Sequence, residues 1–209
     1  MKTIACRGVQ RVIQLGPVAL ILIWSTALAA CQGTAPPTPT VDPGLSTARD
    51  AYRAAANAAV SWKSDARLVS VSASWHAPQP DVLARGKSSW AFFFASPAPQ
   101  PGGQTATYIV SVAEGRAEGV RESIMPGEFR QLAFLDWKVD SPKALELFLN
   151  NGGLDFLRRY QNADVQARLY MPTEGNVPLW SVTAVDREAK VSSVVRVDAT
   201  TGALRKDGA

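Results

Sequence analysis

The sequence predicts an α+β fold made of two pseudo-repeated units, each a helix packed on an antiparallel β-sheet. Two hydrophobic periods carry that expectation, because apolar residues recur every three or four positions in some stretches and every second position in others. A third observation is order. Both halves of the body run helix, strand, proline-containing turn, strand opening on a tryptophan, loop, strand and a turn closed by glycine. With 209 residues and 46% hydrophobic side chains, the chain can bury a core without help from disulfides.

Residues 1–11 carry Lys2, Arg7 and Arg11, and residues 12–28 are mostly apolar, strongest at Val18-Ala19-Leu20-Ile21-Leu22-Ile23-Trp24. This is the charged opening and apolar run of a secretory signal, and its unbroken apolar core is shorter than the roughly 20 residues that span a bilayer. Leu28-Ala29-Ala30-Cys31 follows and resembles the lipobox of bacterial lipoproteins. The resemblance implies cleavage between Ala30 and Cys31, lipid on the Cys31 sulfur, an extracytoplasmic location and attachment to a bacterial membrane through that lipid. Residues 1–30 are then signal peptide. Residues 31–44 are the lipidated cysteine and a stalk, since Pro36, Pro37, Pro39 and Pro43 with interspersed threonines cannot pack a core.

Taking Lys2, Arg7 and Arg11 from the 22 basic residues leaves 19 against 18 acidic ones. The two signs are interspersed, which excludes the basic stripe that a nucleic-acid partner requires. Cys6 and Cys31 are the two cysteines. Cys6 falls in the signal, so lipid on Cys31 leaves no thiol for a disulfide, a metal or a nucleophile.

The first unit is placed at residues 45–125. Ser46 or Thr47 caps a helix with Asp50 in its first turn, and Ala48, Tyr52, Ala55, Ala59 and Trp62 share one face. From residue 65 the period becomes two, with Val69, Val71, Ala73 and Trp75 on one side and Ser70, Ser72 and Ser74 on the other. A turn at Pro78 and Pro80 leads to a strand carrying Trp90, Phe92 and Phe94, and a loop over residues 97–103 leads to another carrying Tyr108, Val110 and Val112. Glu114-Gly115 ends it.

Residues 116–139 read as an apolar connecting segment that packs on the sheet, with Phe129, Leu132, Phe134, Leu135 and Trp137. The second unit is placed at residues 126–209. Asp140-Ser141-Pro142 is a helix start, a capping side chain with proline at the first turn. Ala144, Leu145, Leu147, Phe148 and Leu149 fill the helix until Asn150-Asn151-Gly152-Gly153, and a short helix follows over residues 154–160. Strands are expected over residues 165–170, 179–186 and 191–198.

Trp180-Ser181-Val182, followed by Val194-Val195-Arg196-Val197-Asp198-Ala199-Thr200-Thr201-Gly202, resembles the PepSY and PepSY-like domains of bacterial envelope proteins. Their recurring feature is a tryptophan strand followed by a strand ending in an Asp-Ala-x-Thr-Gly turn. In the first half Ala113-Glu114-Gly115 stands at the corresponding place. The resemblance implies a helix packed on an antiparallel sheet and a binding or inhibitory role, and it implies no catalytic residues and no cofactor.

No catalytic constellation stands out. His76, the one histidine, has no serine in a nucleophile-elbow context and reads as structural or solvated. Glu114, Glu118 and Glu122 recur every four residues, but Gly115 and Gly119 argue against a helix there, so they read as a solvated hairpin turn. Asp136 and Asp140 could form a carboxylate pair of the glycosidase kind, although Asp140 is more simply a helix cap. The leading expectation is a non-enzymatic, lipid-anchored binding module for a protein, peptide or envelope component. The alternative is an envelope hydrolase, or a hydrolase accessory, acting through carboxylates. Helices cover one sheet face, so the expected partner surface is the other, marked by Ser70, Ser72, Ser74, Ser181 and Thr183, with Trp75 as an added surface candidate.

Overall fold

The computed structural model describes residues 45–205. The expected signal peptide, Ala30, Cys31 and the stalk lie outside the described residues. Among the described residues no helix is long and apolar enough to cross a membrane.

Thirteen elements follow one another: α1 (Ala48–Trp62), β1 (Arg67–His76), α2 (Pro80–Ala84), β2 (Trp90–Gln100), β3 (Gln104–Ala113), β4 (Arg116–Pro126), α3 (Ser141–Phe148), a wide turn (Leu149–Gly153), α4 (Leu154–Arg159), β5 (Asp164–Tyr170), β6 (Leu179–Asp186), β7 (Val191–Asp198) and β8 (Leu204–Arg205). The strands form one antiparallel sheet in the order β4-β3-β2-β1-β5-β6-β7-β8. Each half is a meander running outward from the centre. They join where β1 pairs with β5, from Ser70 opposite Tyr170 to His76 opposite Asp164. One continuous sheet with one core thus stands where two sheets were expected.

A second correction concerns residues 116–126, which are strand β4 and not a connecting segment. Glu114 and Gly115 both take positive φ, 53° and 69°, which is the geometry of a tight two-residue hairpin turn. Nearly all of β4 is exposed, so it has no buried face to write an alternating pattern into the sequence. The true crossover is residues 127–140. It bonds Leu132 N–H to Leu68 O at 2.7 Å and returns the chain to the helix side of the sheet, where Leu132 and Trp137 are buried.

The helix side is built on large side chains. Helix α1 presents Ala48, Ala51, Ala55 and Ala59 to β3 and β4, and their small size lets the helix lie close to the strands. Helix α3 buries Ala144, Leu145 and Phe148 and lies over β6 and β7. Between the helices runs a chain of rings: Trp75 against Trp90 at 5.9 Å, Trp90 against Trp180 at 5.9 Å, and Trp180 against Trp137 at 6.1 Å, all edge to face. Fully buried indoles need partners for their N–H groups. Trp90 donates to Ser46 O (2.9 Å) and Trp180 to Val139 O (2.8 Å), each carbonyl lying one residue before its helix's capping residue.

The two helix starts also meet. Asp140 Oδ1 accepts from Ser141 N (2.7 Å) and from Arg49 N in the first turn of α1 (3.1 Å), and Ser141 Oγ accepts from Ala48 N (3.0 Å) while donating to Gly86 O (2.8 Å). Gly86 has φ +62°, and a Cβ there would overlap the backbone of Pro142. Thr47, not Ser46, is the α1 cap, its Oγ1 accepting from Asp50 N at 3.3 Å.

Candidate functional site

The face opposite the helices is the candidate site, and strand periodicity decides its chemistry. In β1, Val71, Ala73 and Trp75 point to the helices, so Ser70, Ser72 and Ser74 point away. In β5, Val165, Ala167 and Leu169 are buried, so Gln166, Arg168 and Tyr170 share the open side. In β6, Trp180, Val182 and Ala184 are buried, which turns Ser181 and Thr183 outward.

Register brings these residues into rows across the sheet. One row runs Ser111, Ala91, Ser72, Arg168, Ser181 and Arg196, and a parallel row runs Ser74, Gln166, Thr183 and Val194. Of the predicted residues, Ser72, Ser181 and Thr183 are half-buried and Ser74 is exposed, all on this one face. Ser70 is on the same face but buried. Trp75 belongs to the other side of β1 and meets this face where it lines a depression with Ser74 and His76. Its ring is half-buried on the helix side, and its N–H is used by Lys87 O at 3.2 Å. The neighbouring residues Gln166 and Arg168 were missed as site members, although the alternation of residues 165–170 already separates them from the core.

Short side chains leave depressions. One of about 380 Å³ is lined by Leu45, Ser72, Ser74, Ser88, Ser111 and Gln166. It adjoins a broader one of about 590 Å³ that shares Ser74 and Gln166 and adds His76, Asp164, Thr183 and Arg187. At the opposite end of the strands the crossover closes the face: Phe129 meets Phe93 edge-on at 5.2 Å, and Arg130 clasps the β5–β6 loop by donating to Pro172 O, Thr173 O and Asn176 Oδ1.

Two carboxylates toward the ends of these strands are held by partners. Asp164 accepts from His76 Nδ1 at 2.7 Å and lies 3.4 Å from Arg187 Nε. The His76 hydrogen bond first, and the charges of His76 and Arg187 with it, hold the Asp164 carboxyl below its ordinary range. Burial would push Asp198 upward, but the N–H groups of Thr201 and Thr200 and the Arg205 guanidinium outweigh it and hold that carboxyl low. The guanidinium of Arg168 lies 5.4 Å from the ring of Tyr170.

Two of the acidic groups weighed in the sequence have other surroundings here. Asp140 is committed to the two helix starts, while Glu118 and Glu122 are side chains of an edge strand. Among the described residues no cluster of His, Cys, Asp or Glu could hold a metal ion.

No protein-family model matches the chain, so the likeness of residues 180–202 to PepSY-like domains rests on those residues alone. No curated protein matches it either. The chain is similar to a solved structure of a candidate lipoprotein from Clostridium difficile 630, at a TM-score of 0.45 and 14% identity, over 74% of this chain and 90% of that one.

Proposed function

We propose that this chain is a membrane-anchored extracytoplasmic lipoprotein whose body is a non-enzymatic binding module, engaging a protein partner on the open face of its sheet. The observation that carries the binding role is the pair of rows through Ser72 and Ser74, a surface of small polar side chains that no element of the described residues covers. Such a surface lets another backbone approach closely and offers hydroxyl and amide groups for hydrogen bonds. Arg168, in the middle of the first row, supplies a cation for an acidic side chain of the partner. The anchor rests on Leu28-Ala29-Ala30-Cys31 and the apolar run before it.

The two meanders read as pseudo-equivalent units. What supports this is their shared order and the matching indole hydrogen bonds to Ser46 O and Val139 O.

A photo-crosslinking side chain at Ser74 in the full-length protein, in cells, should give a discrete adduct that the same group at Val60, exposed on α1, does not. Ser72→Arg should remove the adduct without lowering the melting temperature. Equal adducts from both positions would overturn the assignment of the open face. Cys31→Ala should abolish incorporation of labelled lipid, and normal labelling of that variant would refute the anchor.

A further inference from the structure

The open face is polar around Ser72 and Ser74 but not at its other end. Where the crossover closes the face it leaves a depression of about 410 Å³, with apolar surface from Val69, Phe129, Tyr170 and Met171. That volume lies near the lower end of ordinary ligand sites, roughly 300 to 1,000 Å³, and suits one large apolar side chain. Its walls are held. Phe129 rests edge-on against Phe93 at 5.2 Å, and Arg130 ties the crossover to Pro172 O, Thr173 O and Asn176 Oδ1. The depression therefore stands ready before anything enters it.

Charge gives it a second property. Arg168 also lines the depression, its guanidinium 5.4 Å from the Tyr170 ring, and the residues opposite it on the two neighbouring strands are Ser72 and Ser181. It is exposed and forms no ion pair among the described residues. Arg130 spends its donors on carbonyl and amide oxygens, so two cations stand against one carboxylate, Glu128, on the lining.

We propose that this end of the open face binds an extended segment of the partner that carries an acidic side chain and, two residues away, a large apolar one. The acid pairs with Arg168 and the apolar side chain fills the depression against Phe129 and Tyr170. The proposal rests on the open face being the partner surface, and adds which residues of the partner it selects. Spacing decides the pattern. Arg168 and Tyr170 are two residues apart on β5 and share one side of the sheet, which separates them by about 7 Å along the strand. An extended segment returns to the same side with that same period, whereas an acid directly beside the apolar residue would turn away from the sheet. A planar guanidinium can meet a carboxylate through two parallel hydrogen bonds, and a buried aromatic or aliphatic anchor beside such a pair is the usual centre of an interface. Ser72, opposite Arg168, and Ser74 beyond it then carry the segment toward the serine depression.

The test uses the full-length lipoprotein in a lipid nanodisc and amidated peptides followed by calorimetric titration. Acetyl-Ala-Glu-Ala-Phe-Ala should bind about tenfold or more tightly than the same peptide with Gln for Glu, and about tenfold more tightly than the one with Ala for Phe. Moving Glu next to Phe should cost as much as removing its charge. Arg168→Gln should bring the Glu peptide to the level of the Gln peptide without changing the melting temperature, and Arg168→Glu should prefer a peptide with Lys at that place. Equal affinity for the Glu and Gln peptides, or no binding by any of them, would overturn the site. An adjacent Glu that binds as well as the spaced one would overturn the pattern. In cells, Arg168→Gln should lower the Ser74 photo-adduct by about tenfold. An undiminished adduct would overturn this site while leaving the open face as the partner surface. Absence of the Ser74 adduct in the otherwise unaltered protein strikes at the open face itself, so the two failures are told apart.

Discussion

In the first meander Trp90 donates its indole N–H to Ser46 O just before α1, and in the second Trp180 donates to Val139 O just before α3. Away from these positions the two diverge. The second meander closes on Asp198, 4% exposed, whose carboxylate gathers Thr200 N, Thr201 N and Arg205 around the last turn. The first ends on a tight Glu114-Gly115 turn and an eleven-residue strand that is the edge of the sheet among the described residues. Buried aromatic anchors fix the strands near the sheet's centre, whereas the outer strands carry whatever distinguishes one half from the other.

The anchors give the largest expected effect. Trp90→Ala and Trp180→Ala should each cost about 3 to 5 kcal/mol, the range for emptying a buried aromatic site, since both side chains are fully buried. Because the rings touch, the double variant should depart from additivity in chemical denaturation. A large loss for one tryptophan and a negligible one for the other would break the equivalence of the two halves. The buried face of α3 extends the test: Leu145→Ala or Phe148→Ala should cost about 2 to 5 kcal/mol.

Glycine substitutions separate the joint between the halves from the outer turns. Gly86→Ala combines positive φ with overlap on Pro142, and should cost about 2 to 4 kcal/mol. Gly115→Ala keeps only the backbone strain, since open space surrounds its Cβ, and should cost about 1 to 2 kcal/mol. Melting curves of the two variants give the ranking. A reversed order would mean that the contact of Gly86 with the α3 start yields readily.

Asp198 adds a pH dependence at the end of the second meander. Its carboxyl lies below the ordinary range in the folded chain, so the stability it contributes is complete above the unfolded value, about 3.9, and is lost as pH falls through the lowered folded value. Asp198→Ala should therefore cost about 1 to 3 kcal/mol at neutral pH by stranding its donors. The gap in melting temperature between the wild type and this variant should hold constant above about pH 5 and shrink in acid. A gap that stays open at pH 2 would place the contribution in packing and not in charge.

These contrasts also show what the sequence could and could not say. Strands with one buried face announced themselves: the alternation through Val71 and Ala73, and through Trp180 and Val182, separates core from open side before any coordinates are seen. The helix starts were equally legible, because Asp140-Ser141-Pro142 satisfies capping and proline preferences at once. β4 was not legible, since a strand exposed on both faces carries no period. Nor was the joining of the halves, because Ser70 to His76 and Asp164 to Tyr170 say nothing locally about pairing with each other. Trp75 was legible only in part: lying beside His76 at a strand end suggested exposure, and the residue does line the depression there, but Trp90 and Lys87 O, neither of them predicted neighbours, hold the ring against the core.

The smallest expected effect lies at the seam itself. His76 and Asp164 are directly opposite across β1 and β5, joined at 2.7 Å with Arg187 3.4 Å away, and the His76 side chain is 84% exposed. Exposed pairs of this kind are screened by water and salt. His76→Ala should therefore leave the melting temperature within about 2 °C of the wild type, because the seam is held by the backbone ladder and by Val71, Ala73, Val165 and Ala167 beneath it. The carboxyl of Asp164 should nonetheless rise toward its ordinary range, since the His76 hydrogen bond is the first cause of its depression. A titration followed by carboxyl NMR checks this. A carboxyl that stays low in the variant would assign the depression to Arg187, and a large fall in melting temperature would mean that polar ends, not the buried strip, hold the two meanders together.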